Sequence, residues 1–351
     1  MNRYPVPFSG MPAGLRIGHA SDETLKSGVT VLLPDEPAVM SAHIGGGAPG
    51  TRELGLAEPE ASVSKVDAIV LSGGSAFGLA AADGAMSFLA ENGRGFEVAG
   101  LRVPIVPTAI LFDLANGGDK SFLPAKERAA AANPYPGLAY RACSSALEAI
   151  QGGAVEVGTL GAGTGATTAN LKGGFGHAGE QLSSGATIAA FVAVNAVGAV
   201  TFGDGPHFRA APFEVDHEFG GLGLPATASP ETAARITKFD PAPAANTTIA
   251  VIATDQPLTK AEAKRLAIVA HDGFALSIYP AHTPFDGDTV FALSTGKAET
   301  DPNMEPLSMM LELCAAAPGV LARAVARAVY WATDTQSDRL PTWKGRFGDT
   351  A

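Results

Sequence analysis

Apolar residues in this chain gather in short unbroken runs more often than they alternate with polar ones. Residues 28–33 (GVTVLL), 66–72 (VDAIVLS) and 248–253 (TIAVIA) are examples. Short runs rich in β-branched residues, bounded by Gly, Pro or polar residues, mark strands covered on both faces. The same pattern predicts strands over 38–44, 154–160, 274–279 and 289–293, and a strand pair over 187–201 with Asn195 near its bend. A broader stripe (Phe77, Leu79, Met86, Phe88, Leu89) follows Gly73–Gly74 and predicts a helix. Further helices are expected around 125–132, over 137–151, from the capping box Thr259–Glu262 to about 272, and as one or two Ala/Leu-rich helices in 305–333. Residues 1–20 carry Pro5, Pro7 and Pro12 and are expected to be irregular. Residues 335–351 have the character of a polar tail. Strands and helices alternating in this way predict an α/β protein.

Two stretches lack periodicity. Residues 115–135 are polar and predict a loop around the short helix. Residues 203–246 are rich in Gly, Pro and Ala. So long an irregular stretch inside a compact protein is usually functional.

Composition narrows the function classes. The chain has 351 residues, enough for one large domain or two, with 46% hydrophobic and 17% charged residues, which supports a sizeable core. A net charge of −11 disfavours nucleic acid and anionic membrane surfaces as partners. Two cysteines make no disulfide framework, and seven dispersed histidines show no metal-ligand spacing, so neither metal nor organic cofactor is expected. The first residues lack the apolar core of a signal peptide, and the expected compartment is the cytoplasm.

Several Gly-rich motifs invite nucleotide readings and fail them. GGSAFG after the 66–72 strand lacks GxGxxG and the P-loop lysine, and Ser75 is not in a GxSxG elbow. GAGTGA at 161–166 fits a dinucleotide fingerprint literally, but no helical pattern follows and no acidic residue stands where a ribose would need one. Arg52 and Glu53 in GGGAPGTRE are expected to hold a turn, paired with each other or with neighbours, with a substrate role as the alternative.

The junction Asn246–Thr247 carries more chemistry. An irregular Pro/Ala segment ends there and a buried strand begins. The plain reading is an Asn-Thr step into a strand. In the chemical reading, the Thr247 hydroxyl attacks the Asn246 carbonyl, the acyl group moves from nitrogen to oxygen, and water hydrolyses the ester. Thr247 is left with a free α-amine of pKa roughly 7.7–8.0 beside its own hydroxyl, a nucleophile and its base in one residue.

The run NTTIAVIATDQPLTKAEAKRLA with HTPFDGDTVFALST resembles the self-cleaving N-terminal-nucleophile hydrolases. These are the L-aminopeptidase/D-esterase and β-peptidyl aminopeptidase family, with its nylon-oligomer (6-aminohexanoate-oligomer) hydrolase relatives. GGGAPGTRE, VDAIVLSGGSAFGLAAADG, VPIVPTAILFDL and GAGTGATTANLKGG extend the resemblance over most of the chain. It implies a four-layer αββα sandwich, cleavage into 1–246 and 247–351, and hydrolysis of small peptides, aminoacyl amides or ω-amino-acid oligomers through a Thr247 acyl-enzyme. By the same resemblance Asn195 is an oxyanion donor, Asp286 and Asp288 orient Thr247, and the cleaved pairs assemble into homo-oligomers. Two positions depart from the nylon-hydrolase pattern. Phe112 stands where those relatives have a tyrosine, and is either part of the substrate site or plain core. Asn170 stands where they have a lysine, and Lys172 either takes over that work or is a solvated surface residue. The alternatives are an acyltransferase of the ornithine acetyltransferase type, which also self-cleaves before threonine, and a non-catalytic relative.

Overall fold

A computed structural model describes residues 7–8, 10–123, 132–149, 152–227, 229–238, 246–299 and 304–348. Strands and helices are numbered in chain order. One sheet has seven strands in the order β1 (Pro7–Phe8), β11 (Gly174–Gln181), β12 (Thr187–Val194), β13 (Ile249–Thr254), β14 (Thr289–Ser294), β4 (Ala38–Ile44), β6 (Lys65–Val66). The other has five: β2 (Leu15–Asp22), β3 (Ser27–Pro34), β7 (Ile69–Ser72), β10 (Thr108–Ile110), β5 (Thr51–Arg52). A hairpin of β8 (Phe96–Val98) and β9 (Leu101–Val103) stands apart.

Three hydrophobic layers explain the unbroken apolar runs. Ile249, Val251, Phe191, Phe291, Leu32 and Leu71 meet between the two sheets. Alternate residues of the same strands, such as Ala250, Ile252, Val192 and Val290, face α3 (Lys260–Ala270), α4 (Asp272–Ser277) and α5 (Pro306–Tyr330). Val29, Val31 and Val70 of the five-stranded sheet face α1 (Ala81–Glu91) and α2 (Tyr135–Glu148). Helix, sheet, sheet, helix is the expected αββα sandwich. Strands buried on both sides need apolar residues at every position.

The structure corrects several expected elements. Residues 274–279 mostly continue the helical path after α3, as α4, and do not form a strand; a short apolar run fits either element. Residues 154–160 run along the surface, tied to the sheet by one bridge, Gly158 to Phe175. The expected pair over 187–201 is one strand, β12, and beyond Asn195 come isolated bridges. Residues 15–22 form β2, not an irregular lead, and 174–181 form a strand no apolar run announces. In β11, Gly176 lies under α5, where a Cβ would sit 1.9 Å from the Ala324 carbonyl oxygen. The polar tail holds α6 (Trp343–Phe347), whose Trp343 is buried against Phe208. The Thr259–Glu262 capping box is present. The helix expected around 125–132 lies essentially outside the described residues.

Helix α5 is the one described helix long and apolar enough to span a membrane by length and composition. Its inner face packs on β11 and β12, and its buried Arg323 is paired with Glu218, which is how a core helix of this length is held.

Candidate active site

Residue 247 sits where an irregular segment becomes β13, between β12 and β14. Thr247 is buried, its backbone N–H donating to the Asn195 carbonyl at 2.9 Å. Its Oγ donates to the Asn246 carbonyl oxygen at 2.5 Å, and that oxygen also accepts the Gly287 N–H at 2.9 Å. The carbonyl before Thr247 is therefore polarised by one backbone donor with a hydroxyl alongside it. Gly287 is needed for this approach, because a Cβ there would lie 2.6 Å from Thr247 Oγ.

Asn246 bridges to Asp286 in parallel register, which brings the DGD turn to the junction. Asp286 is buried and accepts from the Val197 and Thr283 amides at 3.2 and 2.8 Å. Burial, followed by the neighbouring Asp288 charge, raises its pKa. Asp288 is buried too. One of its oxygens accepts the Thr248 N–H at 2.9 Å; the other accepts the His282 N–H at 3.1 Å and pairs with His282 Nδ1 at 2.8 Å. Burial lowers the His282 pKa, but the bond to Asp288 and its charge outweigh this and leave it raised.

Asn195 is locked from three sides. Its Oδ1 accepts from the Thr167 amide at 3.0 Å and from Lys238 Nζ at 3.2 Å, and its Nδ2 donates to the Phe112 carbonyl at 3.0 Å. Thr167 belongs to the GAGTGATT stretch, which lines a cavity of about 430 Å³ together with Phe112, Lys172, Lys238 and Asn246. Thr247, Asn195, Asp286 and Asp288 are thus gathered within one hydrogen-bonded network, and Phe112 lies on the wall of the adjoining cavity. Lys172 is buried on that wall, not solvated. Its Nζ is held by the Thr333 carbonyl, Thr335 Oγ and Asp338 at 2.8, 3.1 and 2.6 Å. Asn170 donates to Asp204 at 2.7 Å. Arg52 pairs with Asp83, and Glu53 accepts the Val106 amide, so both hold a turn.

A buried hydroxyl on a polarised carbonyl at the head of an inner strand, flanked by carboxylates, is an arrangement for acyl transfer. Residues 13–340 match Peptidase family S58. The chain belongs to that family. An uncharacterised aminopeptidase of Mycobacterium leprae is 42% identical over 356 aligned residues, 95% of this chain and 92% of that one. One of Mycobacterium tuberculosis is 40% identical over 353, covering 95% and 96%. The β-peptidyl aminopeptidase BapA of Sphingosinicella microcystinivorans is 35% identical over 159 residues, 44% of this chain and 38% of its own. The solved L-aminopeptidase D-Ala-esterase/amidase of Ochrobactrum anthropi superposes with a TM-score of 0.65 at 20% identity, over 100% of this chain and 97% of that one, and carries a variant of the N-terminal-nucleophile hydrolase fold. A Burkholderia β-aminopeptidase gives 0.64 at 20% identity, covering 99% and 95%. As a member of the S58 peptidases the protein is a peptide-bond hydrolase, and its fold is that of the N-terminal-nucleophile hydrolases.

Sequence reasoning missed three residues of this candidate site. His282 lies inside the HTPFDGD block, but only the fold aims its ring at Asp288. Gly287 is the middle of DGD, where the close approach of Thr247 is a tertiary fact. Lys238 stands in the irregular stretch before the junction and carries no local signal.

Proposed function

We propose that the chain cuts itself between Asn246 and Thr247, and that the exposed Thr247 is the nucleophile of an amide hydrolase acting on aminoacyl amides, short peptides or ω-amino-acid oligomers. The observation that carries this is the Asn246 carbonyl, held between the Gly287 N–H and the Thr247 hydroxyl. Attack by Oγ turns that carbonyl into an oxyanion facing a backbone donor already in place. A preorganised donor of this kind is worth about 3–4 kcal/mol to the transition state. After cleavage the Thr247 α-amine takes the hydroxyl proton in turnover, while Asn195 and backbone amides serve the substrate oxyanion. Asp288 fixes the strand entrance through Thr248 N–H, and Asp286 does so through Val197 and Thr283. The site works on a small-molecule amide or short peptide, and the proposed compartment is the cytoplasm.

The test is N-terminal sequencing of purified protein together with two variants. The small fragment should begin Thr-Thr-Ile-Ala-Val. Thr247→Ala should stop cleavage and amidase activity together, since Thr248 points to the opposite face of the strand. Thr247→Ser should keep both at a cost of about 1 kcal/mol for one buried methyl. A Thr247→Ala protein that still splits at this bond, or still hydrolyses amides, defeats the reading.

A further inference from the structure

Self-cleavage needs a base that turnover does not. In the uncleaved chain the Thr247 nitrogen is a peptide N–H spent on the Asn195 carbonyl, so it has no free lone pair. The two carboxylates at the junction are occupied: Asp286 by two backbone amides, Asp288 by the Thr248 amide and by both the amide and ring of His282.

Lys238 is different. It is half-buried, and among the described residues it has no ion pair within 4 Å. Its Nζ bonds Asn195 Oδ1 at 3.2 Å, while Thr247 N–H bonds the backbone oxygen of the same asparagine at 2.9 Å. Lys238 and Asn246 line one cavity. The other charged residues on that cavity are Lys26, Lys172 and Arg339 with Asp113 and Asp338. Lys26 and Lys172 are both tied to Asp338 and leave Lys238 without a carboxylate there. Asp113 is held by Ser27 and the Gly74 amide.

We propose that Lys238, in its neutral form, receives the Thr247 hydroxyl proton during self-cleavage and returns it to the departing Thr247 nitrogen. This rests on the self-cleavage reading above. As Oγ bonds to the Asn246 carbonyl carbon, its proton passes to Nζ, and the carbonyl oxygen becomes an anion facing the Gly287 N–H. The carbon–nitrogen bond then breaks, and Nζ gives the proton to the nitrogen. What remains is an ester, a free Thr247 amine and neutral Lys238, and water hydrolyses the ester. A neutral amine still has an N–H for Asn195 while offering its lone pair. Burial brings the Lys238 pKa down to about 7, with the Asp286 charge opposing, so the neutral form is well populated near neutral pH. The residue lies upstream of the cut and belongs to the large chain; once the bond is cut, the Thr247 α-amine replaces it as the base.

The experiment follows freshly synthesised full-length precursor on denaturing gels from pH 5.5 to 9, for wild type, K238R, K238M and H282N. Wild-type cleavage should accelerate about tenfold per pH unit below pH 7 and level off above it. H282N, whatever its absolute rate, should keep the break in the profile near pH 7, and this separates Lys238 from the nearby imidazole. K238R keeps a donor for Asn195 but cannot deprotonate, and should cleave at least a hundredfold more slowly, as should K238M. K238R cleaving within tenfold of wild type would reduce Lys238 to a positioning residue and overturn the proposal, and so would rapid cleavage of K238M. If both lysine variants misfold by circular dichroism, the wild-type profile decides, and a flat one overturns it. A wild-type precursor that never cleaves would instead defeat the self-cleavage reading itself.

Discussion

At the scale of single residues, Asp288 joins the backbone of the nucleophile strand to a titrating imidazole. Folding raises the proton affinity of His282 through that carboxylate. The contact therefore stabilises the fold fully below the unfolded imidazole value of about 6.5 and fades as pH rises through the folded value. H282N should accordingly melt below wild type by a margin that is largest near pH 5.5 and narrows towards pH 8.5. Thermal midpoints of the two proteins across that range are the measurement, and a margin that is flat or grows with pH would show that the pair is not charged. This residue also marks the limit of what the chain discloses. Asn246, Thr247, Asp286 and Asp288 could be singled out because family motifs contain them, and Asn195 because the resemblance assigns that position. His282 and Lys238 were not, because each matters through a partner that only the folded chain brings near. Lys172 stood between a site role and a solvated surface position, and the bonds that bury it run to the C-terminal segment, which had the character of a polar tail.

Elements were legible where burial on two faces wrote itself as an apolar run, as in β3, β7, β13 and β14. They were lost where close packing replaced side chains with glycine. Gly174 and Gly176 fall on one face of one strand, β11, and a residue with poor strand propensity is what lets α5 descend on the sheet. The Ala324 carbonyl leaves no room above Gly176. Gly176→Val should push α5 off the sheet and cost ~3 kcal/mol or more through overpacking, despite its better strand propensity. Melting should fall by several degrees, with self-cleavage kept in whatever fraction folds. A midpoint equal to or above wild type would mean that the helix sits farther from the sheet than described. The exchange of α4 for a strand has a simpler cause: six residues with apolar spacing satisfy both periods, and only the preceding turn of α3 decides.

At the scale of the whole molecule, the proposed cut falls inside the sandwich, not between two domains. Residues after 246 supply β13 and β14, which pair with each other in the seven-stranded sheet. Their outer neighbours, β12 and β4, come from before the cut. The later residues also supply α3 and α5, which cover that sheet. Each piece alone would therefore expose an open strand edge and an uncovered apolar face, neither of which is tolerated in water. The cut pieces should behave as one folding unit. Size-exclusion chromatography of mature protein should give a single peak containing both chains, and denaturing gels should resolve two. Thermal unfolding should show one cooperative transition, with neither chain recovered folded on its own after separation in denaturant. Elution of a folded large chain free of the small one under native conditions would contradict this topology, because β12 and β4 would then have to stand with their inner edges unpaired.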